Sequence, residues 1–118
     1  MLLSGYTKKI FRPECNPSFT SVHCIATLHE DISEALPYLN AELGGTQYFN
    51  EPPAVMLHVQ GKIINVGGTE IAINALKDEE EADKIITWLK NEINRVWDNR
   101  ENITPSYEGR KKPPRIRI

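Results

Sequence analysis

The chain has 118 residues, of which 40% are apolar and 25% charged, and its formal net charge is −2. That size and balance describe one soluble domain with a hydrophobic core. Its longest apolar runs fall far short of the roughly 20 residues that cross a bilayer, and its first charges follow too short an apolar run for a secretory signal. The expectation is a cytoplasmic protein with no membrane partner. The net charge hides an asymmetry. Residues 109–118 hold five of the 14 basic residues and no acid, leaving nine bases against 16 acids in the body. A body charge of −7 argues against a nucleic-acid partner.

In chain order, residues 2–11 read as a strand closed by Pro13 and Pro17, which bound a loop containing Cys15. Residues 21–29 read as a second strand. Val22, Cys24, Ala26 and Leu28 alternate onto one face, with His23, Ile25 and Thr27 on the other. Asp31 or Ser33 is expected to cap a helix whose stripe is Ile32, Ala35, Leu36, Leu39 and Leu43. Pro37 fits its first turn and Gly44-Gly45 its end.

Short strands follow at 46–49, 54–60, 62–66 and 70–76. Pro52-Pro53 fits the start of a strand. Gly61 predicts a tight hairpin, and Gly67-Gly68 a second turn. Asp78 with Glu81 three residues later marks the start of a long helix, and Glu79, Glu80 and Glu81 favour its first turn through the dipole. Ala82, Ile85, Ile86, Leu89, Ile93, Val96 and Trp97 form its buried stripe, an arc of roughly 120° at 100° per residue. Trp88 falls about 60° outside that arc, at the rim or in solvent. The helix is expected to end near Arg100, ahead of Pro105. The order predicts an α+β fold, with an antiparallel sheet of five to six strands and two main helices on one face. The expected division is a domain over 1–105 and a basic, Pro-containing tail over 106–118.

Three stretches carry a resemblance: PECNPSFTSVHCIATL, DISEALPYLNAELGG, and LKDEEEADKIITWLKNEIN with PSYE. Together they resemble the N-terminal domain of uncharacterised iron–sulfur-cluster-binding proteins of anaerobic archaea and bacteria. Longer members of that group continue into a four-cysteine cluster domain. This sequence has two cysteines and looks like a stand-alone, methanogen-type version. The resemblance implies the scaffold and a link to anaerobic redox or methanogenic metabolism. It does not carry over an iron–sulfur cofactor, and no cofactor fingerprint is read.

Cys15, His23 and Cys24 are the residues able to ligate a metal, because thiolate and imidazole are the donors of zinc and iron–sulfur sites. Their spacing matches no closed zinc pattern. On a regular strand His23 and Cys24 point to opposite faces, so Cys24 reads as a small core residue and Cys15 as the freer thiol. His29 and His58 have no partner at metal spacing. Glu79–Glu81 and Asp83 diverge around a helix and read as a charged first turn. Gly67-Gly68-Thr69 lacks the strand-to-helix context of a phosphate loop. The Pro-broken, basic tail reads first as a mobile, solvated terminus and, in its functional alternative, as an arm whose PRIRI alternates charge and Ile, the pattern of a strand that adds to a sheet edge, its own or a partner's. Trp88 and Tyr107 with Arg110, Lys111, Lys112, Arg115 and Arg117 supply the residue types of a protein contact.

The functional expectation is therefore a non-catalytic interaction module, with a protein partner that is itself an iron–sulfur protein. The alternative is a metal or redox module using Cys15 and Cys24. An uncovered sheet edge would allow a homodimer.

Overall fold

Alternation at period two builds most of the molecule. The computed structural model describes residues 1–12, 22–112 and 114–118. Six strands form one antiparallel sheet in the order β1-β2-β6-β5-β4-β3. They are β1 (Tyr6–Phe11), β2 (Val22–Leu28), β3 (Gln47–Asn50), β4 (Pro53–Val59), β5 (Lys62–Gly67) and β6 (Glu70–Leu76). Helix α1 (Leu36–Leu43) lies over β4, and α2 (Glu79–Asp98) over β2 and β6. The fold is α+β, as the element order predicts.

In β2, Val22, Cys24, Ala26 and Leu28 are all buried on the helix side. Their cross-strand neighbours Ile71 and Ile73 of β6 share that face. From there the face continues through Ile64 and Val66 of β5 to Leu57 and Val55 of β4. The stripes of the two helices close the core over this face. Burial of such side chains contributes about 1.5–3 kcal/mol each.

The β4–β5 hairpin turns on two residues, with Val59 opposite Lys62. Gln60 and Gly61 both take positive φ, at 51° and 76°. That is the turn whose twist matches its strands. In β6, Asn74 and Ala75 stand opposite the single residue His23, and Ala75 has φ of 59°. The bulge shifts the alternation by one, so Leu76 returns to the core instead of facing outward.

Helix α2 begins as its acidic start predicts. The Asp78 carboxylate accepts the Glu81 amide at 2.8 Å. Glu81 accepts the Lys77 amide at 3.0 Å, one residue ahead of the cap. Ala82, Ile85, Ile86, Leu89, Ile93 and Val96 are buried. Trp97, expected with them, is half-buried. It stands at the edge of the apolar arc, with the Arg100 guanidinium stacked 4.0 Å from its ring centroid. Lys8 of β1 ties the sheet to the helix through Asp83, and through Glu79 at 3.0 Å.

Two local expectations are corrected. Residues 2–5 are not strand. They run along α2, where Asn94 accepts the amides of Leu2 (3.0 Å) and Leu3 (2.8 Å) and donates to the Leu3 carbonyl (2.9 Å). This side chain satisfies the backbone that a strand would have paired, and Leu3 is fully buried. Neither Asp31 nor Ser33 caps α1. Ser33–Ala35 form a 3-10 turn, Ala35 is the N-cap without a side-chain hydrogen bond, and Pro37 lies in the first turn. Asp31 instead accepts the Ser33 amide at 2.8 Å and bends the chain into that turn.

Candidate functional site

The expected ligand set does not assemble on β2. Cys24 faces the core and is buried, whereas His23 lies half-buried on the opposite face, beside Phe11. Burial pushes the Cys24 thiol up, against a smaller opposing pull from Lys8. A buried thiol raised in this way is a poor nucleophile and a poor ligand. Cys15 lies outside the described residues. Among the described residues, no group of three or more His, Cys, Asp and Glu side chains converges.

The tail stays on the body beyond the expected boundary at 105. Asn40 is the cause. It sits within the apolar stripe of α1, buried, and donates to the carbonyls of Ser106 (2.9 Å) and Glu108 (3.0 Å) while accepting the Gly45 amide (3.1 Å). Around it, the Ser106 amide donates to Pro37 O at 3.0 Å and the Arg110 amide to Gly45 O at 2.8 Å. Gly109 runs so close to Thr46 that a Cβ there would collide with the Thr46 carbonyl. Gly44 ends α1 at φ of 64° and packs against Pro114 and Arg110. Farther along, Ile116 makes a parallel bridge to Val59, and the Gln60 amide donates to Ile116 O at 2.9 Å.

The proposed contact residues are therefore divided along this path. Tyr107 meets Tyr48 edge-to-face, 5.5 Å between centroids. Burial, and then Tyr107, raise the Tyr48 hydroxyl. The Arg110 guanidinium donates to the Ala41 carbonyl at 3.2 Å, at the end of α1. Lys111 and Lys112 are exposed. Arg115 and Arg117 flank the Ile116 bridge and border a cleft with His58. Trp88 is half-buried against the core and meets the end of the tail, Ile118, across an open groove of about 1030 Å³.

In this groove a large aromatic, the tail and a recess coincide. Its rim is acidic, with Asp78, Glu80, Glu81 and Asp83 against Lys77 and Lys84. Much of that charge is engaged. Asp83 pairs with Lys8, and Glu81 with Lys62 at 3.1 Å. Burial pushes the Glu81 carboxyl up, but the Lys77 amide and the Lys62 ammonium outweigh it and hold the group below its ordinary range. Thr87 and Asn91 complete its lining between the charged rim and Trp88.

The basic residues around Trp88 are thus fewer, and the acids more numerous, than the sequence suggests. Asn40 is the residue that sequence reading missed. Its signal was a polar side chain four residues after Leu36 and three before Leu43, inside an apolar stripe. Comparison with protein-family models, with characterised proteins and with solved structures finds no match. Among the described residues no helix is long and apolar enough to cross a membrane.

Proposed function

We propose that this chain is a non-catalytic, cytoplasmic protein-interaction module whose contact surface is the groove between α2 and the end of the tail. The observation that carries this reading is the convergence of Trp88 and Ile118 on one recess bounded by polar and charged side chains. Protein contacts are organised in this way, with a partly buried aromatic anchor inside a polar rim. The excess of carboxylates on the rim favours a partner surface that brings an apolar residue flanked by Lys or Arg. The sequence resemblance adds the pathway to the proposal: the partner is an iron–sulfur protein of anaerobic redox or methanogenic metabolism.

The test is capture of partners from an anaerobic extract by the wild-type chain, Trp88→Ala and Ile118→Asp. A specific partner is held by the wild type, and Trp88→Ala weakens it by about 2 kcal/mol, roughly 30-fold. Equal retention by all three chains contradicts the reading.

A further inference from the structure

We propose that the cleft between the β4–β5 hairpin and the tail binds a phosphoryl group, as inorganic phosphate or a small phosphate monoester. The cleft is open to solvent and measures about 580 Å³, within the size range of small-molecule sites. Its walls are set by backbone pairing. Ile116 bridges Val59 in parallel, with Gln60 N to Ile116 O at 2.9 Å and Ile118 N to Gln60 Oε1 at 3.4 Å. Parallel register puts Arg115 beside His58 and Arg117 beside Gln60. Ile116 packs partly against the core and also borders the cleft, with Arg115, Arg117 and His58 around it.

Two guanidinium groups and an imidazole then border one space. The Arg115 and Arg117 backbones are about 6.6 Å apart along the chain, a separation from which two long guanidinium forks can bracket a single ion. The Thr46 hydroxyl lies 3.1 Å from His58 Nε2, which orients the ring at the edge of the cleft. Among the described residues no carboxylate lines the cleft, and Arg115 and Arg117, like most other bases of the chain, are in no ion pair. The cleft therefore has positive charge with no carboxylate to answer it. A planar carboxylate satisfies one guanidinium fork with its two oxygens. A phosphoryl group offers three or more acceptors and close to two charges at neutral pH, and so serves both forks and the imidazole together. Trp88 takes no part, and the site does not rest on the protein-contact reading.

The experiment titrates the full chain with inorganic phosphate at constant ionic strength, following the amide resonances of His58, Gly61, Arg115 and Arg117. Acetate and chloride are the controls, and glycerol phosphate is run in parallel. Saturable shifts with phosphate, absent with acetate, are expected. Arg115→Ala and Arg117→Ala each weaken binding by about tenfold, and Arg115→Lys weakens it despite keeping the charge. Tighter binding of glycerol phosphate identifies an ester as the ligand, and tighter binding of inorganic phosphate identifies the free ion. Linear shifts, equal response to acetate, or arginine variants that bind as wild type would overturn the proposal. Both arginines are exposed, so the variants fold.

Discussion

Two side chains show how much a single position can decide. Ala75 holds a left-handed φ of 59° so that the β6 bulge can return Leu76 to the core. A Cβ in that conformation costs about 1–2 kcal/mol. Ala75→Gly is therefore expected to stabilise the fold by about 0.5–1 kcal/mol, after the entropy that glycine adds to the unfolded chain is taken off. Urea denaturation measures it, and a loss of stability would contradict the bulge geometry. Asn40 works in the opposite sense. Asn40→Ala strips a partner from the Gly45 amide and from the carbonyls of Ser106 and Glu108. The expected loss is about 2–3 kcal/mol, and the same variant should speed exchange of the Arg110 amide as the tail loosens.

At the scale of elements, legibility followed period and range. β2 and α2 were readable because their burial is periodic: alternate residues in one, a 120° arc in the other. Trp97 marks the edge of that arc, where periodicity no longer decides burial. Residues 2–5 were misread because their partner is Asn94, remote in sequence, and no local pattern announces such a pairing. The start of α1 was misplaced because a 3-10 turn at Ser33–Ala35 took the place of a side-chain cap. The β6 bulge was invisible because its left-handed residue is Ala and not Gly. The start of α2 was legible, and it supplies a pH prediction. Glu81 titrates below its ordinary range in the folded chain. A lowered carboxyl stabilises the fold above its unfolded value, about 4.3, and that contribution is lost as pH falls through the folded value. Glu81→Gln is expected to cost about 1 kcal/mol at pH 7 and progressively less as the pH drops below about 4. A difference that stays constant from pH 7 to pH 3 would show that the charge of Glu81 is not what matters.

For the whole molecule, the tail is the element that joins sheet, helices and groove. PRIRI revealed the capacity of the tail to extend a sheet, but not which edge it would take. Strand β3 reaches only as far as Met56 along β4, and this shortfall leaves Val59 open for Ile116. The same path separates the charges: the arginines of the tail lie by His58, and the carboxylates of α2 surround Trp88. The groove and the cleft both depend on a seated tail. Site-resolved hydrogen exchange of the Ser106, Arg110 and Gln60 amides tests this most directly. They donate to Pro37 O, Gly45 O and Ile116 O, respectively. The account predicts that all three exchange far more slowly than an unstructured chain, and that Ser106 and Arg110 lose protection together in Asn40→Ala. Exchange at unstructured rates in the wild type would mean that the tail is not seated, and would contradict the groove and the cleft alike.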